Sequence, residues 1–317
     1  MAMFYFIIQH TMFFAIPLMI VALGGLFAEK SGVLNIALEG KMTIGAFVGT
    51  IIISNFQEGL PGTPILLIAL FAAMLSGLLV SLLHAYASIN LKANQTISGI
   101  AINMFAAAFV VFMARLWTGT QNIQFRNQFR IASVPLLGDI PVIGPMFFQN
   151  TYITTYLGLF ILAAGTFVLY KTRFGLRLRA CGEHPGAADS VGIDVAKIRY
   201  AGVMLSGALA GLGGIVLIIP ITIVFNGTVS GYGFLALAVL IFGGWNPIKI
   251  VLAALFFGFL QAVSASYAAI DFLRVLELPA HFYRMLPYIA TLVLLVITSK
   301  EAAGPKALGV PYDKGTR

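Results

Sequence analysis

Residues 64–90 read PILLIALFAAMLSGLLVSLLHAYASIN and contain no Asp, Glu, Lys or Arg. The hydrocarbon core of a bilayer is about 30 Å thick and a helix rises about 1.5 Å per residue, so about 20 apolar residues can cross it. This stretch is long and apolar enough to do so. It therefore predicts a membrane-spanning helix, and most of the chain repeats the pattern.

The composition of the whole chain excludes a soluble globule. Of the 317 residues, 60% are hydrophobic and only 9% are charged, and the mean hydropathy is +0.97. The 19 basic and 11 acidic residues are too few to coat a water-soluble surface, whereas a lipid-facing surface needs few charges. The net charge of +8 does not indicate a nucleic-acid binder, because the basic residues lie in loops between the apolar segments.

The apolar segments predict an all-α, polytopic integral membrane helical bundle with about nine transmembrane segments, seven to ten being possible. It forms a single transmembrane domain over residues 1–317, and no strand-like alternation is present. Segments 232–246 and 285–299 would reach only about 22 Å as straight helices, so one or both are expected to be broken or re-entrant. The start has no basic n-region or cleavage site, so the first segment is expected to be retained. The candidate segments are 4–28, 33–54, 64–90, 95–117, 151–170, 200–224, 232–246, 250–270 and 285–299.

Lys and Arg are retained on the cytoplasmic side of membrane proteins, so their distribution predicts the orientation. With loop 171–199 inside, the N-terminus lies outside and the C-terminus inside. Loop 119–150 is then an outer loop, and its length predicts a small structure of its own or a docking surface, the alternative being a lid over the bundle. The basic residues at the inner side are Lys30, Lys41, Lys92, Lys171, Arg173, Arg177, Arg179, Lys197, Arg199, Lys249, Lys300, Lys306, Lys314 and Arg317. Those at the outer side are Arg115, Arg126, Arg130, Arg274 and Arg284.

The charged loop 171–199 contains the signals of a short helix. His184 can cap it, Pro185 suits its first position, and Gly192 suits the left-handed residue after its end, so we predict a helix from Pro185 to Val191. So short a helix is marginal alone in water and must be held by packing. Its small apolar face is expected to dock on a cytoplasmic partner, and the alternative is an ordinary solvated loop. That face consists of Ala187, Ala188 and Val191.

Several amides lie where a transported molecule could meet them. Asn103 and Gln261 lie near the middle of their segments and either line a substrate route or join helices by hydrogen bonds. Asn35 and Gln95 lie near the inner boundary, where capping of a helix competes with a role in a cytoplasmic gate. For Asn94 we predict a helix cap.

Two further residues are candidates for the same route. Glu39 is the only acid inside a predicted segment, and we expect it to pair with Lys41 or Lys30, because pairing relieves the cost of burial. Trp245 lies in GGWNP, at residues 243–247, where a short helix ends. It either faces a transport site at a discontinuous helix or belongs to an interfacial aromatic belt.

No motif for catalysis or metal binding is present. The chain has no G-x-x-x-x-G-K-[ST] phosphate loop, its four histidines are scattered, and its single cysteine, Cys181, cannot form an internal disulfide or a thiolate metal cluster. An ion-coupled carrier would be expected to keep carboxylates at the midplane, where Glu39 is the only candidate. The energy for transport is therefore expected to come from another chain.

Two stretches carry a resemblance to a known family. Residues 174–214, FGLRLRACGEHPGAADSVGIDVAKIRYAGVMLSGALAGLGG, resemble the cytoplasmic loop and following helix of permease subunits in bacterial ABC importers of the ribose and branched-chain amino acid group. Residues 21–47, VALGGLFAEKSGVLNIALEGKMTIGAF, are similar to the branch that takes up purine nucleosides such as guanosine. The resemblance implies a multi-pass permease of the bacterial plasma membrane.

The resemblance also implies a mechanism. A coupling helix would enter a cleft of an ATP-binding subunit, which would hold the ATP and Mg; this chain itself would need no cofactor or metal. The positions that match this helix are Gly182, Glu183, His184, Pro185, Ala187, Ala188 and Gly192. A second permease subunit and a substrate-binding lipoprotein or periplasmic protein are the other implied partners. A simple-sugar permease is the alternative within this mechanism, and an ion-coupled carrier is the alternative outside it.

Overall fold

The computed structural model describes residues 2–270, 279–298 and 304–314 and shows an all-α polytopic membrane protein. Its helices are α1 Ala2–Lys30, α2 Leu38–Phe56, α3 Thr63–Ala85, α4 Gln95–Thr118, α5 Ile153–Lys171, α6 Arg173–Glu183, α7 Pro185–Ser190, α8 Val195–Ile221, α9 Tyr232–Phe242, α10 Pro247–Ser266 and α11 Ala280–Thr298. A π-helical turn, Tyr86–Asn90, prolongs α3.

Each of the nine predicted segments overlaps one of these helices, namely α1 to α5 and α8 to α11. Six helices within the described ranges are long and apolar enough to cross a membrane: α1, α3 with its π-helical turn, α4, α5, α8 and α10. The short segment 232–246 holds only the 11 residues of α9, as expected for a broken helix. Segment 285–299 belongs to a longer helix, α11, that begins at Ala280, and its last residue lies outside the described residues.

Four short strands are present, which the sequence did not predict. β1 (Ile123–Gln124) pairs antiparallel with β4 (Val224–Phe225), and β2 (Arg130–Ser133) pairs antiparallel with β3 (Gln149–Tyr152). Segment 119–150 therefore contains two of the strands and the beginning of a third, together with a π-helical turn. These strands are too short to show the alternation that identifies a strand in a sequence.

The helix ends gather at two opposite faces of the molecule. The strand face holds the four strands, the beginning of α1 and the ends of α2 and α4; there Ser54 Oγ donates to the Gln124 carbonyl at 2.8 Å. The loop face holds α6, α7, the end of α1 and segment 304–314; there Ala307 N–H donates to the Gly182 carbonyl at 2.9 Å. Of the basic residues used to predict the orientation, Arg274, Lys300 and Arg317 lie outside the described residues.

α8 lies at the centre of the bundle and packs on α1, α2 and α3. The contact with α3 depends on small residues, because a Cβ atom at Gly77 would overlap the Gly207 carbonyl oxygen. In the same way, a Cβ atom at Gly45 of α2 would overlap the backbone of Gly211. Close backbone approach of this kind supplies the packing contacts that hold helices together where lipid removes the hydrophobic drive.

Candidate functional site

A partly open cavity of about 400 Å³ lies between the ends of α8 and α10, α1, and segment 222–231. This volume falls in the range of small-molecule binding sites, about 300–1,000 Å³. Of the six residues predicted along a substrate route, Gln261 lines this cavity. Its polar lining includes Thr222, Asn226, Ser230, Gln261, Ser264 and Arg284.

One wall of the cavity is not helical. Segment 222–231 leaves the end of α8, forms β4 at the strand face, and then reaches the N-terminus of α9. In a membrane protein, non-helical backbone is tolerated at membrane depth only where it is buried in protein or lines a water-filled cavity, because lipid cannot satisfy its polar groups. The half-length helix α9 is the discontinuous helix that the sequence predicted in segment 232–246, whereas the non-helical segment before it was not predicted.

Glu39 binds the backbone where segment 222–231 meets α9. Its two carboxylate oxygens accept hydrogen bonds from Gly231 N–H at 2.8 Å and Gly233 N–H at 2.7 Å. The expected pairing of Glu39 with Lys41 or Lys30 is therefore wrong. The N–H groups at the N-terminus of α9 carry partial positive charge and bind the anion instead.

Lys41 lies in a separate buried cluster. Its Nζ donates to Asn35 Oδ1 at 2.7 Å, and Asn35 Nδ2 donates to Ser206 Oγ at 2.6 Å. All three side chains are fully buried. Asn35 therefore neither caps a helix nor lines the cavity; it joins the α1–α2 loop to α2 and α8. Ser206 was not singled out from the sequence, because a serine in a small-residue helix face is a common packing residue.

Gln95 and Asn103 fix the same loop to α4. Gln95 Oε1 accepts from Leu34 N–H at 2.7 Å. Asn103 Oδ1 accepts from Gly40 N–H at 2.8 Å, and its Nδ2 donates to the Ile36 carbonyl at 3.0 Å. The interhelical alternative therefore describes Asn103, and Gln95 has the same kind of role.

His84 completes the attachment of this loop, although sequence reasoning did not select it. Its ring nitrogens lie 2.9 Å from the Leu34 carbonyl and 3.0 Å from Ser98 Oγ. The side chain is fully buried. The signal in the sequence was a polar ring near the end of the uncharged stretch 64–90, where burial demands hydrogen-bond partners.

Trp245 does not belong to an aromatic belt and does not line the cavity. It is only 7% exposed, and its Nε1–H donates to Glu29 Oε2 at 2.6 Å. The bond ties the turn after α9 to the end of α1. Sequence reasoning missed Glu29, because it lies one residue beyond the predicted segment 4–28.

The short helix α7 has the predicted start and an end one residue earlier than predicted. His184 Nδ1 accepts from Ala187 N–H at 3.2 Å, which makes His184 the N-cap. The helix ends at Ser190, and Gly192 adopts the expected left-handed conformation with φ 83°. Asn94 is likewise the predicted cap, here of α4.

The outward face of α7 differs from the predicted one. Val191 is 75% exposed, whereas Ala188 is buried against Cys181 and Val195. Ala188 therefore anchors α7 to its own chain and cannot contact a partner. The coupling candidates that are exposed are Glu183, His184, Ala187 and Gly192, whereas Pro185 is half-buried.

Gly182 and segment 304–314 attach α6 and α7 to the rest of the chain. A Cβ atom at Gly182 would overlap the Lys30 carbonyl oxygen, so α6 ends in backbone contact with the end of α1. Tyr312 Oη–H donates to Asp189 Oδ2 at 3.0 Å, and Lys314 Nζ lies 3.3 Å from Asp189 Oδ1. In the described ranges, no group of three or more His, Cys, Asp or Glu side chains is placed to hold a metal ion.

Comparisons with known proteins extend this picture. Residues 7–297 match the protein family described as branched-chain amino acid transport system / permease component. The chain is 45% identical to the guanosine ABC transporter permease protein NupQ of Bacillus subtilis (strain 168), over 98% of this chain and 97% of that protein. No solved structure matches the chain.

Two permeases of Lactococcus lactis subsp. cremoris (strain MG1363) are also similar. The nucleoside ABC transporter permease protein NupC is 39% identical, over 97% of this chain and 96% of that protein. The nucleoside ABC transporter permease protein NupB is 26% identical, over 77% of this chain and 68% of that protein. One strain thus contains two different permeases that resemble this chain.

Proposed function

The chain belongs to the family of branched-chain amino acid transport system permease components, and on this premise we propose that it translocates purine nucleosides inward as the permease subunit of an ABC importer. It is a multi-pass protein of the bacterial plasma membrane and a transport component rather than an enzyme. The relatives named for guanosine and nucleosides support this substrate class.

The observation that carries the proposal is the cavity with its non-helical wall. Segment 222–231 is not helical and lines the cavity, where its backbone polar groups can meet water or a substrate instead of lipid. Discontinuous helices commonly form the substrate sites of transporters. The cavity lining combines aromatic side chains with amides and hydroxyls, which suits a neutral molecule with a flat heterocycle and several hydrogen-bonding groups.

The orientation and the coupling step are part of the proposal. The loop face lies in the cytoplasm, with the N-terminus outside, the C-terminus inside and nine membrane segments. An ATP-binding subunit, which holds ATP and Mg, binds α7 and tilts the membrane helices on either side of it, α5 and α8. The basic residues of α6 and segment 304–314 support this sidedness.

The other partners follow from the same proposal. A second permease subunit completes the pore, and the presence of NupB and NupC in one strain supports a pair of different permeases. A substrate-binding lipoprotein or periplasmic protein delivers the nucleoside to the strand face.

Uptake measurements test the proposed function. Labelled guanosine, ribose and uridine are offered to cells with the intact operon and to cells without it. We expect ATP-dependent accumulation of guanosine in the first cells only. Selective ribose uptake would support a simple-sugar permease instead, and uphill transport by the lone subunit in liposomes would show an ion-coupled carrier.

A charge reversal on the exposed loop tests the coupling step. We expect Glu183→Arg to abolish guanosine uptake without affecting membrane insertion, because Glu183 is exposed beside α7. Glu58→Arg is the matched control, since Glu58 is exposed near the strand face, 4.0 Å from Arg126. Uptake at the parental rate in the Glu183 variant would contradict the coupling role.

A further inference from the structure

We infer that Tyr232, Phe14, Gln261 and Ser264 form a binding subsite for the heterocyclic base of the transported nucleoside. This inference rests on the proposed function and assigns part of the cavity to one part of the substrate. All four residues line the cavity described above.

The first observation is a buried hydroxyl group without a partner. The Tyr232 side chain is only 7% exposed, and its Oη has no hydrogen-bond partner within the part of the chain that the structure describes. Buried polar groups are normally paired, because an unpaired one loses its bonds to water without compensation. Tyr232 lines the cavity while its hydroxyl oxygen is itself covered, so a small rotation of the ring is enough for the hydroxyl to bind a ligand that enters.

The second observation is an aromatic pair on the same wall. The rings of Phe14 and Tyr232 are stacked, with centroids 6.3 Å apart and planes inclined by 29°. Aromatic rings in such an arrangement offer apolar faces to a third flat ring. Every nucleobase has such a face, whereas ribose does not, so the pair favours the base over the sugar.

The position of Tyr232 is fixed by its neighbours in the sequence. Gly231 and Gly233, on either side of it, both donate their N–H groups to the Glu39 carboxylate. This double attachment holds the first turn of α9 at the cavity wall. Glu39 is thus a positioning residue for Tyr232 and does not itself line the cavity.

The part of the lining that α10 forms supplies donors and acceptors. Gln261 and Ser264 are three residues apart on α10 and therefore lie on the same side of the helix. A glutamine amide both donates and accepts, and a serine hydroxyl does the same, which matches the mixed edge of a purine. The charged residue of the lining, Arg284, is exposed, so the buried part of the cavity suits an uncharged base.

A second cavity continues the route beyond Phe14. Its volume is about 360 Å³, and Phe14, Ile221 and Ala265 line both cavities. Phe14 therefore lies between the two cavities. A base that stacks on its ring can pass from one cavity to the other.

A single reporter thiol can test the subsite. The native Cys181 is fully buried, and burial raises the pKa of its thiol to about 11, so it reacts slowly with thiol reagents. Ala265→Cys adds an exposed thiol to the cavity wall. In the complete complex, we expect guanosine to protect this thiol from a methanethiosulfonate reagent, and ribose to protect it much less.

The subsite variants are then compared in this background. We expect Tyr232→Phe to raise the guanosine concentration for half-protection about three- to tenfold, because one hydrogen bond is lost while the ring is kept. Gln261→Leu should act in the same direction. Tyr156→Phe is the control: Tyr156 Oη donates to the Phe147 carbonyl at 2.8 Å, outside the cavity, and half-protection should not change.

The possible results separate this inference from the proposed function. If the complex with wild-type cavity residues takes up guanosine but guanosine does not protect the thiol, the subsite is wrong and the proposed function stands. Equal protection by ribose, an unchanged half-protection in Tyr232→Phe, or no reaction of the Ala265→Cys thiol would also overturn the subsite. A complex that does not take up guanosine at all would overturn the proposed function first.

Discussion

Glu39 shows how one carboxylate can organise a discontinuous helix from a distant part of the chain. Its two oxygens bind N–H groups of Gly231 and Gly233, which lie more than 190 residues further along the chain. A helix as short as α9, with 11 residues, is marginal by itself and depends on such attachments. The anion at its N-terminus stabilises the helix through both hydrogen bonds and the helix dipole.

Removal of this carboxylate should therefore destabilise the protein. We expect Glu39→Ala to cost about 2–3 kcal/mol, because hydrogen bonds to a charged group contribute more than neutral ones. The melting temperature of the purified protein in detergent measures the effect. Glu58→Ala, at an exposed site, should change it little; an equal effect of the two substitutions would contradict the capping role.

The buried Lys41 predicts an asymmetry between two substitutions. Lys41→Met removes the buried charge while keeping the length of the side chain, so we expect a small effect or a gain in stability. Asn35→Ala removes the acceptor 2.7 Å from Lys41 Nζ and leaves the ammonium group unpaired, so we expect a loss of about 3–5 kcal/mol. Thermal unfolding of both variants measures the two changes in stability. A larger loss of stability in Lys41→Met than in Asn35→Ala would show that Asn35 does not stabilise the lysine.

The sequence correctly predicted the roles of residues that act on their neighbours in the chain. Asn94, His184 and Gly192 act within three residues of their own position, so helix-end rules are sufficient for them. Glu39 and Trp245 were placed wrongly or left open, because their partners lie far away in the chain. A rule based on neighbouring residues chose Lys41 for Glu39, whereas the fold supplied the N-terminus of α9.

At the scale of elements, segment 304–314 braces α7 against the bundle. Its Tyr312 donates to Asp189 near the end of α7, and its Val310 carbonyl accepts from Arg199 of α8 at 3.1 Å. Tyr312→Phe should increase amide hydrogen exchange in α7 about two- to tenfold, since one hydrogen bond is lost. Exchange in α7 equal to that of the parent protein would show that the bond does not hold the helix.

The stability of the first turn of α8 should depend on pH. Hydrogen bonds from the backbone and side chain of Lys197 hold the pKa of Asp194 below its usual value. A carboxylate with a lowered pKa stabilises the fold above its unfolded pKa of about 4 and loses this effect as the pH falls through its folded pKa. Hydrogen exchange in the first turn of α8, corrected for its intrinsic pH dependence, should therefore rise below about pH 4. Asp194→Asn, which keeps the capping oxygen, should remove this dependence.

At the scale of the whole molecule, composition and hydropathy were sufficient for the architecture. Each predicted segment overlaps a helix, because an apolar segment in lipid has no alternative that satisfies the backbone. Segment 222–231, most of which lies outside the predicted segments, is not helical and lines a cavity. Its sequence, TIVFNGTVSG, has the polar and glycine residues of a loop, but hydropathy cannot show that such a loop lies beside a half-helix within the bundle.

The two faces of the molecule make the orientation directly testable. Val191 is 75% exposed on the loop face, and Leu136 is 86% exposed in segment 119–150. Since Cys181 is fully buried, a cysteine at either position gives a single reactive thiol. An impermeant thiol reagent should label Leu136→Cys in intact protoplasts and Val191→Cys only in inside-out vesicles. The positive-inside distribution predicts this result, and the opposite pattern would place α7 outside, where no ATP-binding subunit could reach it.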